Sequence, residues 1–260
     1  MMGNAPDFIG VGVQKCGTTW LGARLAEHPQ ILFDKKEISF FSNHFYKGYD
    51  WYHEHFKDKG DRIAGEFSIN YFITPRPDST HIEHYPRWSL QSWFKHLTRK
   101  HPAARDEIKK SYPGIKLLAM FRNPADRAWS HYWMWHERRT KRGKERLIVP
   151  FRKFFLDNGR WAQLTGNYAT LLRYWQEAFP EMGIFLHDDL VADSEAFLAS
   201  AFRFLGVDDS FTGNISNREN ARKYDKMPDE ERQFALNFYR EEIEEFYKLI
   251  GRELNWLDSA

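Results

Sequence analysis

The chain has 260 residues and a mass of 31.1 kDa, enough for one large core, and its formal net charge of +2 excludes a broadly basic nucleic-acid surface. Its single cysteine, Cys16, excludes an internal disulfide and any multi-cysteine metal site, which fits a reducing compartment. No stretch reaches the ~20 uninterrupted apolar residues of a membrane span, and the opening "MMGNAPDF" lacks the features of a signal peptide, so a soluble, cytoplasmic protein of one domain (1–260) is expected.

Asp7–Val13 is apolar and β-branched and precedes a helical pattern over Thr18–His28, which predicts strand, loop, helix. The loop between them, within "GVGVQKCGTT", has Gly12 and Gly17 at the spacing of the phosphate-binding loop G-x-x-x-x-G-K-[ST], yet Thr18 stands where the lysine belongs and Lys15 lies inside. Such a loop still offers backbone N–H groups and a helix N-terminus to an anion. Lys15 would then meet the leaving side of a transferred group. The plainer reading, a tight turn with an exposed lysine, stays beside it. Cys16 reads as a small packing residue in preference to a nucleophile, and Trp20 suits either an adenosine ring or the core.

Short strands are predicted at Gln30–Phe33 and Arg62–Phe67, with helical pieces from Ser39 and Tyr49 in the aromatic segment between. Asp78–Ser111 is helical but broken by Pro86 and Pro102. Gly114–Arg122 is the clearest buried strand, and Asn123 and Pro124 supply an N-cap and first helical position directly after it. Thr140–Pro150, basic and poor in apolar residues, reads as an exposed loop. Asn167–Phe179 reads as an amphipathic helix, Gly183–Leu190 as a strand, Ser194–Leu205 as a helix, Gly206–Pro228 as turns, and Asp229–Ile250 as a terminal helix. This alternation predicts an α/β fold of the three-layer, P-loop-containing nucleotide hydrolase-like kind. A central, mainly parallel sheet would be flanked by helices, with ligands at the carboxyl ends of its strands.

"QKCGTTWL" resembles the 5′-phosphosulfate loop of sulfotransferases, which use 3′-phosphoadenosine 5′-phosphosulfate (PAPS), and "FRNPADRAWSHY" resembles their 3′-phosphate motif. The resemblance implies that Lys15, Cys16, Gly17, Thr18, Thr19 and Trp20 line the donor, and that Arg122 and Ser130 bind its 3′-phosphate. Further segments are similar to the carbohydrate branch that includes heparan sulfate sulfotransferases. "KKEISFF" there implies Glu37 as catalytic base, "GEFSINYF" matches an E-K-S/T-x-x-Y-F segment, and "ENARKYDKMPDEER" implies a lid of Arg222, Lys223 and Tyr224. Two departures stand out. Phe67 replaces the family's lysine, and the paired cysteines of some relatives are absent, which suits a cytoplasmic, bacterial member.

The activity so implied is in-line transfer of a sulfuryl group from PAPS to an acceptor hydroxyl, with the bisphosphate PAP as product and no metal required. Sulfation of a glycan or glycolipid is favoured. Phe40–Phe56, the range 75–99 and Arg138–Phe155 are the expected acceptor loops, and the basic run Arg138–Arg146 is either an anion-attracting patch or a solvated loop. His44, His53 and His55 are alternative bases. The competing readings are a P-loop kinase of a small metabolite, which would want a lysine at position 18 and Mg²⁺, and a non-catalytic nucleotide-binding protein of the same fold. Oligomeric state is left open.

Overall fold

Phe8–Gly12, buried at every position, forms β1 in the middle of a five-stranded sheet in this computed structural model, which describes residues 4–33, 37–73, 103–141, 148–158, 160–215 and 224–258. A strand with neighbours on both edges and helices on both faces has no solvent side, so it is apolar throughout. The order is β2 (Ile31–Phe33), β3 (Ile63–Phe67), β1, β4 (Lys116–Phe121), β5 (Gly183–Leu186), and every pairing is parallel. The predicted α/β fold with a central parallel sheet flanked by helices is therefore what the chain adopts.

Phe67, which stands where a lysine was expected, is buried because β1 makes room for it. A Cβ on Gly10 would lie 1.4 Å from the Phe67 ring, and that ring packs edge-on against Phe33. Its position is a core position, and no charge could be held there without heavy desolvation.

The helices follow the predicted order. Thr18–Leu25 succeeds β1, Ala104–Ser111 precedes β4, Pro124–Lys141 follows it, and Tyr168–Gln176, Ser194–Leu205 and Asp229–Ile250 complete the layers. The Asn123 side chain accepts from the N–H groups of Ala125 (2.9 Å) and Asp126 (3.4 Å), so it caps its helix as its position predicts. Asp193 does the same for Ser194–Leu205, which ends at Gly206. Among the described residues no helix is long and apolar enough to cross a membrane.

Three expectations need correction. The strand predicted over Gly183–Leu190 stops at Leu186, and His187–Ala192 is helical, with Asp188 and Asp189 in its first turn where the helix dipole favours acidic groups. The loop predicted from Thr140 starts later, since Thr140 and Lys141 close the Pro124–Lys141 helix. Part of the aromatic segment Phe40–Phe56 is core: Phe40, Phe41, Tyr52 and Phe56 are fully buried, with Phe40 stacked on Tyr52 at 4.5 Å. Phe154 and Phe155, from another expected acceptor loop, are fully buried too. The range 75–99 lies outside the described residues.

Candidate active site

From β1 the chain runs to the edge strand β2, comes back to β3 beside β1, and then crosses to β4 on the other side of β1. Such a reversal leaves a crevice beyond the carboxyl ends of the two strands, here β1 and β4. The glycine loop follows the first of these ends and Arg122 the second.

The loop turns through two left-handed residues, Lys15 (φ 72°) and Gly17 (φ 101°). Gly17 has a second reason to lack a side chain, because a Cβ would sit 3.0 Å from Met120 Cε and 3.3 Å from His187 Cδ2. The helix that begins at Thr18 has no side-chain cap. The first N–H groups of a helix have no intrahelical acceptor, so the loop presents donors and the positive end of a dipole together. Thr18 is buried and Thr19 exposed at this end. Cys16 is fully buried, its Sγ 3.7 Å from Tyr168 Oη, and burial pushes its thiol up to about 11. That is a packing thiol. The Tyr168 hydroxyl donates to the Arg122 carbonyl at 2.9 Å and so ties the loop to the end of β4. Trp20 packs inward against Phe197, with Arg24 above its ring, which gives its side chain a packing role.

Arg122 lines a cleft of about 320 Å³ together with Asp126, Trp129, Tyr224, Lys226 and Arg232. Residues far apart in sequence meet here because the chain folds back over the Pro124–Lys141 helix. Trp129 Nε1 donates to the Asp225 carbonyl (2.9 Å), Arg232 pairs with Asp126, and Tyr224 lies nearly parallel to Trp133 at 6.3 Å. Arg122 and Tyr224 thus share one wall. Ser130 is buried two turns along the same helix and is not among the residues lining the cleft. Arg222 and Lys223 lie outside the described residues.

Glu37 follows β2 and is solvent-accessible, but partial desolvation raises its carboxyl above the ordinary 4.5, opposed by the positive charge of Arg138. His131, adjacent to Ser130, was not singled out by sequence reasoning. Burial drives it down to about 3, helped by the charges of Arg127, Lys15 and Arg138, and its Nδ1 is buried with no partner among the described residues. Through these shared influences Lys15, His131, Arg138 and Glu37 belong to one electrostatic neighbourhood. His187, at the end of β5, was missed too: burial, then Arg122, lowers it to about 4. The only sequence signal for either was adjacency, to a motif serine and to a strand end. The alternative bases are otherwise engaged, His53 with the Tyr112 hydroxyl (2.7 Å) and His44 with the Ile38 carbonyl (2.9 Å), while His55 lies edge-on to Trp51.

Known proteins resemble this chain in sequence and in fold. The sulfotransferase family profile matches residues 6–211. The membrane-associated sulfotransferase kil1 of Dictyostelium discoideum is 23% identical over 96% of this chain and 66% of its own length. The mouse bifunctional heparan sulfate N-deacetylase/N-sulfotransferase 4 is 24% identical over 95% of this chain, which spans only 30% of that larger protein. A crystal structure of a sulfotransferase from Alicyclobacillus acidocaldarius superposes with a TM-score of 0.74 at 23% identity, covering 97% of this chain and 98% of that one. With a profile match across most of its length and the fold to go with it, the chain belongs to the sulfotransferase family.

Proposed function

We propose that the enzyme takes its sulfuryl group from PAPS and delivers it to an acceptor hydroxyl, with Glu37 as base. The observation that carries this reading is the pairing, across the switch point, of an uncapped helix N-terminus with Lys15 on one side and the Arg122 cleft on the other. One site suits a 5′-phosphosulfate and the other a second phosphate, which is what a doubly phosphorylated adenosine donor presents.

In this reading the loop N–H groups and the Lys15 ammonium bind the bridging and leaving oxygens and stabilise the negative charge that grows there. Arg122 and Ser130 hold the 3′-phosphate, and Tyr224, with Arg222 and Lys223, covers the nucleotide. The acceptor oxygen forms a bond to sulfur as the bond from sulfur to the phosphate oxygen breaks, and the hydroxyl proton passes to the Glu37 carboxylate. Positioning and charge stabilisation supply most of the acceleration, as in phosphoryl transfer. Arg138 steadies Glu37 without neutralising it, and the raised carboxyl pKa makes a better proton acceptor than an ordinary glutamate. The heparan-modifying relatives support a sugar acceptor.

The test is a thermal-shift titration with 3′,5′-adenosine bisphosphate against ATP with and without Mg²⁺. Ligand at ~100 times its Kd adds about 2.7 kcal/mol of stability. The expected result is a shift with the bisphosphate that ignores Mg²⁺ and disappears in Arg122→Ala. A shift only with Mg-ATP would overturn the donor and favour the kinase reading. A screen of desulfated glycosaminoglycans, glycolipids and phenols for PAPS-dependent product would then identify the acceptor.

A further inference from the structure

Glu66, in β3, is fully buried and carries a carboxylate that four groups address. The hydroxyls of Tyr52 and Tyr71 both donate to Oε1 at 2.9 Å, Ser68 Oγ donates to Oε2, and the Ile38 N–H donates as well. Two of those hydroxyls are relays. Ser68 Oγ accepts the Ser39 N–H at 2.8 Å while donating to Glu66, and Tyr71 Oη accepts the Phe41 N–H at 3.2 Å while donating to Glu66. Each hydroxyl spends its one proton on the carboxylate and a lone pair on the backbone, so every donor is matched. The backbone amides of Ile38, Ser39 and Phe41, the residues just after Glu37, therefore end on a single buried carboxyl group.

That segment needs holding. Ser39 is in the left-handed region (φ 52°), unusual for a residue with a side chain, and its carbonyl accepts from Asn43 (2.8 Å) and His44 (3.2 Å) in a wide helical turn. A sharp turn directly after a base sets where the carboxylate points. A carboxyl group is costly to bury, and here its cost is offset by four hydrogen-bond donors, two of them relays to the segment after Glu37.

We propose that Glu66 is the positioning residue of the active site, fixing the turn that aims Glu37 at the acceptor hydroxyl through Ile38, Ser68–Ser39 and Tyr71–Phe41. This rests on Glu37 being the base. Glu66→Gln keeps the shape but replaces acceptor lone pairs with N–H donors, which meet hydroxyls already committed to donating. Hydrogen exchange followed by mass spectrometry should show the peptide spanning 37–44 exchanging at least ~10-fold faster in Glu66→Gln, with the β1 loop unchanged. The bisphosphate thermal shift should stay at its wild-type size. Turnover of PAPS, read as bisphosphate release with water or a screened hydroxyl as acceptor, should fall ~10²-fold by misplacement of the base. That loss should vanish when Glu66→Gln is added to Glu37→Gln, since a residue acting through another adds nothing once the other is gone.

Should Glu66→Gln fail to fold, Ser68→Ala removes only the Ser39 relay and is expected to give the same pattern in smaller measure. Unchanged exchange over 37–44, or a loss of turnover that persists in full on top of Glu37→Gln, would overturn the proposal. Full turnover in Glu37→Gln alone would instead remove the base, and with it the catalytic half of this inference, whatever Glu66→Gln does to exchange.

Discussion

Cys16 and Glu37 occupy loops after neighbouring strands in sequence, and burial raises both, yet with opposite consequences. For the thiol, raised to about 11 and sealed under the loop, burial means inertness. Native protein at pH 8 is expected to resist iodoacetamide, with labelling appearing only as urea unfolds it; rapid labelling of the folded state would show an open loop. For the carboxylate, which keeps access to solvent, a raised pKa means a stronger base. Glu37→Gln is nearly isosteric, so it should retain the bisphosphate thermal shift while losing ~10²- to 10⁴-fold in PAPS turnover, the usual worth of a general base. Wild-type turnover in that variant would remove Glu37 from the mechanism.

The Pro124–Lys141 helix is the element on which most of the site depends. Its start is set by Asn123, whose side chain caps two N–H groups and whose Nδ2 also donates to the Trp256 carbonyl at 3.2 Å. Asn123→Ala loses the cap and leaves a buried carbonyl short of a donor. A destabilisation of ~1–2 kcal/mol is expected, measured as a lower urea midpoint. Because Arg122 precedes the cap directly, bisphosphate affinity should weaken as well. A stability change below a few tenths of a kcal/mol would mean that the cap is redundant. The same helix carries Ser130, His131 and Arg138, so one rigid cylinder spaces the serine proposed for the 3′-phosphate from the groups whose charges reach Lys15 and Glu37.

At the scale of the whole molecule, its buried titratable groups set its response to acid. His131 and His187 are held neutral down to about 3 and 4, while the unfolded chain protonates its histidines near 6.5. Their contribution is therefore complete above pH ~6.5 and is lost as pH falls toward 4 and then 3. His53 and His136 are lowered too, chiefly by burial, and act in the same sense. Glu66 works against them: raised to about 7 by burial, it binds a proton in the folded state that the unfolded chain releases above 4.5, so its contribution grows as pH falls from 7 to 4.5. Glu37, raised as well, acts in the same sense as Glu66, and the four lowered histidines outnumber the two carboxyls. Stability should fall on acidification from pH 6 to 4.5 by up to ~1.4 kcal/mol per unit, the worth of one net proton. Urea midpoints across that range check the slope, and His131→Asn should flatten it. A rise in stability over the range would mean that these histidines are solvated.

The elements that could be read in advance are those whose cause is local. The apolar run of β1, the Gly12 and Gly17 spacing, the Asn123 cap with Pro124 behind it, and the uncapped start at Thr18 depend on residues within a few positions of one another. Hence the parallel α/β plan, the family, and the pairing of a Lys15 loop with a strand-end Arg122 were legible in the amino-acid order. Where a strand stops was not: His187–Leu190 is apolar and acidic enough to read either way, and packing decided for helix. Nor could the order tell a wall from a core. Phe40 and Phe41, in an expected acceptor loop, look like acceptor-site aromatics until Tyr52 is brought against them. Burial, and every pKa that follows from it, is a property of what surrounds a residue in space. For that reason only the tertiary structure could set Glu37 beside Arg138, leave His131 neutral near Lys15, and hang three backbone amides after Glu37 from one buried carboxylate.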